Sequence, residues 1–149
     1  MSHFTALFDA CVLYPAPLRD FLMNLAITDL FRAKWTDEIH DEWIRNILIN
    51  RPDLTKERLQ RTKDLMNSHV RDCLVIGYQD LIPSLALPDM NDRHVLAAAI
   101  RAGANVIVTY NLKDFPVSTL EQYGIEASAY ERQSLVQTVA VLRLYNGLF

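Results

Sequence analysis

Acidic side chains lie in four separate stretches of this 149-residue chain, at positions where they could share one cation. Asp9 follows the apolar segment "HFTALF", and Glu42 lies within "TDEIHDEWIRNIL". Asp89 and Asp92 stand at the beginning of "DMNDRHVLAAAI", and Asp114 lies in "NLKDFP". Carboxylates gathered from separate segments repel one another unless a divalent cation lies among them. Their oxygens suit Mg²⁺ or Mn²⁺, which activates water and neutralises charge developing on a phosphodiester.

The elements that must position these acids follow from the hydrophobic pattern. Short apolar runs predict strands over residues 3–8, 73–77, 105–110 and 125–127. Helical periodicity predicts helices over 17–33, about 36–50, 54–70, a segment ending near 103, 118–123 and 130–145. Thr36 and Thr55 are the expected N-caps of the second and third helices. Because strands alternate with helices, we expect a single α/β domain over residues 1–149, with a central parallel sheet covered by helices on both faces in three layers.

Two of the acids fall at strand ends in this scheme. In parallel sheets, ligands collect outside the carboxyl ends of the strands. Asp9 directly follows the first strand, where it would be partly buried and would need a compensating cation. Asp114 lies in the turn after the strand "NVIVTY", but an Asx-turn explains this residue alone equally well.

The other acids have simpler explanations that stay open. Ile39 and Trp43 share an apolar helix face, and Glu42 lies on its border, where it can face a cleft or solvent. Asp89 and Asp92 have the spacing of a reciprocal helix cap, which accounts for one of them without a metal.

Composition limits the partners and the compartment. The formal net charge of −3 provides no global basic field, so binding of a polyanion requires a local basic patch or metal ions. Arg45, Arg51 and Arg58 are candidates for guiding an RNA backbone, although interleaved acids also fit a solvated amphipathic helix.

Two cysteines suit a reducing compartment, with Cys11 expected to be a small buried hydrophobe. We find no signal peptide and no apolar run of membrane-spanning length, so the expected location is the cytoplasm.

Four motifs in series resemble a known family. "FDACVLY", "TDEIHDEW", "PDMNDRHVLAAAI" and "VIVTYNLKDFP" resemble, in order, the acidic motifs of the PIN-domain nucleases, and in particular the VapC-like toxins of bacterial toxin–antitoxin pairs. The resemblance covers the chain to about residue 130. Carried over residue by residue, it implies that the metal-binding acids are Asp9, Glu42, Asp92 and Asp114, with Asp89 as an additional acid beside the third motif.

The resemblance also implies a function and two supporting residues. Thr109 matches a position that supports the site by hydrogen bonding, and Asn111 stands where many relatives have a further aspartate. The implied activity is a Mg²⁺- or Mn²⁺-dependent ribonuclease that cuts single-stranded RNA. Toxin-type members are often held inactive by a small antitoxin protein, and they dimerise.

Two rival functions remain open at the level of sequence. The first is phosphohydrolase or phosphoacceptor chemistry with Asp9 as the nucleophile. The second is a catalytically degenerate module that binds RNA or protein, which the replacement at Asn111 favours. The final segment "SLVQTVAVLRLYNGLF" is apolar around much of a helix, as expected for a core helix or for a homodimer or antitoxin surface.

Overall fold

The structure, a computed structural model, describes residues 4–29 and 31–129. Its centre is a sheet of four strands in the order β2-β1-β3-β4, and all neighbouring strands are parallel. The strands are β1 (Thr5–Phe8), β2 (Arg32–Lys34), β3 (Val106–Thr109) and β4 (Glu126–Ala129). The predicted parallel sheet flanked by helices is confirmed.

Helices connect the strands and cover the sheet. They are α1 (Ala10–Leu13), α2 (Ala16–Ile27), α3 (Asp37–Asn50), α4 (Lys56–His69), α5 (Arg93–Ala102) and α6 (Val117–Leu120). Short 3₁₀ turns cover Gln79–Ser84, Met90–Asp92, Leu112–Asp114 and Glu121–Tyr123. Both predicted caps are confirmed, since Thr36 and Thr55 each accept a backbone N–H three residues later, at 3.0 and 3.2 Å. Helix α5 ends at Gly103, whose φ of +64° a side chain would strain.

The two central strands bring the first and fourth motifs together. Every residue of β1 and β3 is buried, as expected for the middle of a covered parallel sheet. Phe8 pairs with Val108 near the carboxyl ends of these strands. Consequently the residues that follow, Asp9 and Thr109, lie side by side at one edge of the core.

A buried polar network fixes helix α3 against the rest of the molecule. Trp43 Nε1 donates to His40 Nδ1 at 2.9 Å, which leaves the His40 proton on Nε2 facing Asn67 Oδ1 at 3.0 Å. Trp35 Nε1 donates to the same Asn67 oxygen at 2.8 Å. Burial lowers the pKa of His40, which favours this neutral form. The network holds the helix that carries Glu42.

One predicted helix is too long, and one predicted strand is absent. The helix expected over 17–33 ends at Ile27, because Asp29 turns the chain with a φ of +59° and residues 32–34 pair with β1 instead. The strand expected over 73–77 does not form, since Leu74 makes only an isolated parallel bridge to Trp35. In both cases, pairing with a segment distant in the sequence determines the backbone conformation. The local residue pattern does not contain that information.

Some predictions concern residues outside the described part of the chain. The closing helix over 130–145 and the apolar C-terminal segment lie there. Within residues 4–29 and 31–129, no helix is long and apolar enough to cross a membrane.

Candidate active site at the carboxyl ends of the strands

Asp9 is held in a fixed orientation where β1 ends. Its side chain is only 4% exposed, and Oδ1 accepts the N–H of Ala10 at 2.8 Å, which caps the short helix α1. Oδ2 accepts the hydroxyl hydrogen of Thr109 at 2.9 Å. Thr109 Oγ1 in turn accepts the N–H of Asn111 at 3.0 Å. Of the predicted supporting pair, Thr109 contacts Asp9 directly, and the backbone N–H of Asn111 contacts Thr109.

Cys11 belongs to the same group of residues. It packs against the hydrophobic core, but it is only partly buried and also makes polar contacts, so its prediction as a buried hydrophobe is confirmed only in part. The thiol is half-buried, and Sγ donates to Asp9 Oδ2 at 3.6 Å. Sγ also accepts the N–H of Tyr110 at 3.4 Å and lies 3.5 Å from Thr109 Oγ1. Burial, followed by the charge of Asp9, raises the pKa of Cys11 to about 11, which keeps the thiol protonated as a donor.

The two acids of the third motif have different surroundings. Asp89 is exposed and accepts the N–H of Asn91 at 2.9 Å, so it caps the 3₁₀ turn that precedes α5. Asp92 occupies the N-cap position of α5, yet its side chain makes no capping hydrogen bond. The capping explanation therefore accounts for Asp89 and leaves the half-buried carboxylate of Asp92 without a structural role in the helix.

The acids from all four motifs act on one another electrostatically. The pKa of Asp92 is raised to about 7 by burial and then by the charges of Asp9, Asp89, Asp114 and Glu42. The pKa of Glu42 is raised by burial and then by Asp9. Carboxylates carried by separate elements are thus close enough for each charge to raise the pKa of its neighbours.

This group fits a divalent cation in chemistry, but its side chains do not enclose one. The donors are hard carboxylate oxygens, and their mutual repulsion is what a doubly charged ion would relieve. Among the residues that the structure describes, however, no three Asp, Glu, His or Cys side chains lie close enough together to coordinate one ion. Metal ligation by Asp9, Glu42, Asp92 and Asp114 therefore stays a prediction.

Of the three predicted arginines, Arg45 is associated with the acidic site. Its charge lowers the pKa of Glu42, one turn earlier on α3. Arg51 instead donates two hydrogen bonds to Asp53, at 2.9 and 3.0 Å, on an exposed surface. The charge of Arg58 also acts on Asp53. Arg51 and Arg58 thus lie around Asp53, which agrees with the solvated amphipathic alternative for this segment.

Three further residues lie beside the site and were not predicted to do so. Glu38 accepts a hydrogen bond of 2.6 Å from the hydroxyl of Tyr78. Its other oxygen lies 3.9 Å from Nδ1 of His94, whose charge also lowers the pKa of Glu42. These contacts join residues about 40 and 56 positions apart along the chain, and no spacing rule indicates them.

Removal of the Thr109 hydroxyl tests whether its hydrogen bond to Asp9 stabilises the protein. In Thr109→Val the shape is kept, but Oδ2 of a buried carboxylate loses its strongest donor. We expect the free energy of unfolding to fall by about 1–3 kcal/mol. Urea denaturation measures this change, with Thr62→Val as the control, because the Thr62 hydroxyl bonds a carbonyl on the exposed surface of α4. Equal effects of the two variants would contradict the role of Thr109.

The fold and site define a parallel α/β domain with an acidic cluster at its strand ends, and comparison with known proteins identifies the family. The sequence model of the PIN domain family matches residues 5–113. The chain belongs to the PIN domain family.

Two individual relatives add to this assignment. The chain is 55% identical over 51 residues to a Mycobacterium tuberculosis protein named "Putative ribonuclease VapC50", a match that spans 34% of this chain and 30% of the relative. The fold is similar to a chain in the crystal structure of VapBC2 from Rickettsia felis bound to a DNA fragment from their promoter. That comparison has a TM-score of 0.53 and 17% identity, and it covers 86% of this chain and all of the other.

Proposed function

We propose that this protein is a Mg²⁺- or Mn²⁺-dependent endoribonuclease that cleaves single-stranded RNA. The observation that carries the proposal is the raised pKa of Asp92, caused after burial by Asp9, Glu42 and Asp114 from the other three motifs and by Asp89 from its own, with Asp9 held by hydrogen bonds from Ala10 and Thr109. Membership of the PIN domain family and a relative named as a ribonuclease support it.

Asp9, Glu42, Asp92 and Asp114 would hold the cation, with Asp89 at the margin of the site. When bound, the cation neutralises charge developing on the phosphodiester and lowers the pKa of water. Asp9 contributes a fixed anchor, since three donors orient its carboxylate before any ligand arrives. Burial and neighbouring carboxylates raise the pKa values of Glu42 and Asp92, and a carboxylate of this group would accept the proton of the attacking water.

We propose that Arg45 contacts the RNA backbone and that Arg51 and Arg58 contribute less. We expect Arg45→Ala to raise KM for single-stranded RNA about fivefold, since one phosphate contact is lost beside the acids. Arg51→Ala is the matched control, because its guanidinium is already paired with Asp53 and we expect less than a twofold change. Initial rates at several salt concentrations measure both variants. A larger effect of Arg51→Ala would reverse this assignment.

The same relatives also support a proposal for the biological role. We propose that the protein is the toxin of a toxin–antitoxin pair in the cytoplasm, neutralised by an antitoxin protein and able to form a homodimer. Support comes from the name of the curated relative and from the likeness in fold to a chain of VapBC2.

Phosphohydrolase or phosphoacceptor chemistry at Asp9 has less support. An attacking carboxylate must move to bonding distance of phosphorus, whereas hydrogen bonds to both oxygens of Asp9 hold it in place and leave lone pairs that a cation could share. Asn111, the basis for a degenerate binding module, supports Thr109 through its backbone, which any residue except proline can do.

Cleavage of a labelled single-stranded RNA by the purified protein tests the proposal. We expect cleavage with Mn²⁺ or Mg²⁺, none with EDTA, and much slower cleavage of double-stranded RNA. Turnover of p-nitrophenyl phosphate without RNA cleavage would favour the phosphohydrolase. Absence of both activities, together with no Mn²⁺ binding by calorimetry, would favour the binding module.

A further inference from the structure

We propose that Arg19 is a positioning residue that joins the segment beginning with Asp9 to the helix that carries Glu42. This inference rests on the proposed function, because it concerns the separation of two proposed metal-binding carboxylates. Arg19 lies on α2, outside all four acidic motifs. Its contacts reach α1 on one side and α3 on the other.

The first contact is with the end of α1. Nη1 of Arg19 donates to the carbonyl oxygens of Leu13 and Tyr14, at 2.8 and 3.1 Å. Helix α1 is a single turn with Asp9 at its N-cap, so its two ends are only about 6 Å apart along the axis. A guanidinium bound to the last carbonyls therefore fixes a very short segment whose first residue is Asp9.

The second contact is with helix α3. The Arg19 guanidinium carbon lies 4.7 Å from the ring centre of Trp43, a favourable cation–π distance. Trp43 is fully buried and is held by its hydrogen bond to His40, so the ring is a rigid surface. Glu42 precedes Trp43 directly. The guanidinium of Arg19 thus contacts both α1, which follows Asp9, and Trp43, which follows Glu42. These two carboxylates belong to different motifs.

The surroundings of Arg19 suggest that it is not the most stable choice at this position. The residue is only 8% exposed, and burial lowers the pKa of its guanidinium. Its buried Nε has no hydrogen-bond partner. A methionine would fill similar space without a buried charge, and such replacements are often tolerated. What methionine cannot do is bind two carbonyls and stack on Trp43 at once.

The test compares Mn²⁺ affinity in Arg19→Met and Leu22→Ala by titration calorimetry. Leu22 lies one turn further along α2 and is buried, so Leu22→Ala destabilises the protein through a cavity without a bond to α1. We expect Arg19→Met to weaken Mn²⁺ binding about tenfold and Leu22→Ala to keep affinity within twofold. Arg19→Lys, which keeps a donor but loses the planar guanidinium, is expected to fall between wild type and Arg19→Met. Unchanged affinity in Arg19→Met, or an equal loss in Leu22→Ala, would overturn the proposal.

A second measurement separates this inference from the metal chemistry. Hydrogen exchange of the backbone amides in residues 10–14 needs no metal, and we expect at least tenfold faster exchange there in Arg19→Met than in Leu22→Ala, with α5 unchanged. If wild type does not bind Mn²⁺, the proposed function fails, and the exchange comparison alone judges Arg19. If Arg19→Met does not fold, Arg19→Lys enters the same comparisons, and exchange or affinity equal to wild type overturns the proposal.

Discussion

Asp9→Asn is expected to abolish Mn²⁺-dependent cleavage of single-stranded RNA while leaving the fold intact. Asparagine has nearly the same shape, and its single carbonyl oxygen can still accept one of the bonds from Ala10 or Thr109. It has no negative charge, however, and a neutral amide oxygen binds Mg²⁺ or Mn²⁺ far more weakly than a carboxylate. We expect kcat/KM to fall by roughly 10³-fold or more, since the charge supports the transition state directly.

The measurement is single-turnover cleavage at saturating Mn²⁺, with Asp20→Asn as a matched control. Asp20 is exposed on α2, so the control removes the same charge away from the site and should retain activity. Circular dichroism and thermal melts establish that Asp9→Asn is folded. Cleavage by folded Asp9→Asn at the wild-type rate would refute the assignment of Asp9 as a metal ligand.

The central part of the fold was predictable because its signals are local. The apolar runs of β1 and β3 are buried on both faces, so each appears in the sequence as a continuous hydrophobic segment followed by a polar residue. That pattern places Asp9 at the strand end without knowledge of any partner. The caps Thr36 and Thr55 and the terminal Gly103 are local signals of the same kind.

The missed features all depend on contacts between distant residues. Strand β2 is three residues long and contains Arg32 and Lys34, so it has no strand pattern of its own and exists through pairing with β1. The hydrogen bond between Tyr78 and Glu38 likewise depends on how two loops and helices pack. Cys11 was predicted from its small apolar character, whereas its role depends on Thr109 and Tyr110, almost 100 residues away.

Asp92→Asn is expected to change stability and activity in opposite directions. The pKa of Asp92 is raised to about 7 from an ordinary value of 3.8, so between these pH values the folded protein keeps a proton that the unfolded chain releases. Ionisation of this group therefore costs stability progressively as the pH rises from about 4 to 7, and the full cost is present above 7. Asparagine removes that cost.

At pH 8 without metal, we expect Asp92→Asn to be more stable than wild type by about 1–2 kcal/mol, because solvent around the half-buried group screens part of the repulsion. This corresponds to a rise in Tm of about 3–6 °C. At pH 4 the two proteins should melt at nearly the same temperature, because Asp92 is protonated in the folded wild type. Asp20→Asn is the control, since Asp20 is exposed on α2 and is not among the charges that raise the pKa of Asp92.

Addition of Mn²⁺ should reverse the order of stability. The cation stabilises whichever protein binds it in the folded state, by an amount that grows with concentration above the dissociation constant. Wild type should therefore gain in Tm with Mn²⁺, while Asp92→Asn gains little and cleaves RNA at least 100-fold more slowly. If Asp92→Asn instead lowers Tm without metal, Asp92 is a stabilising helix cap. The carboxylates of the four motifs would then not repel one another as proposed.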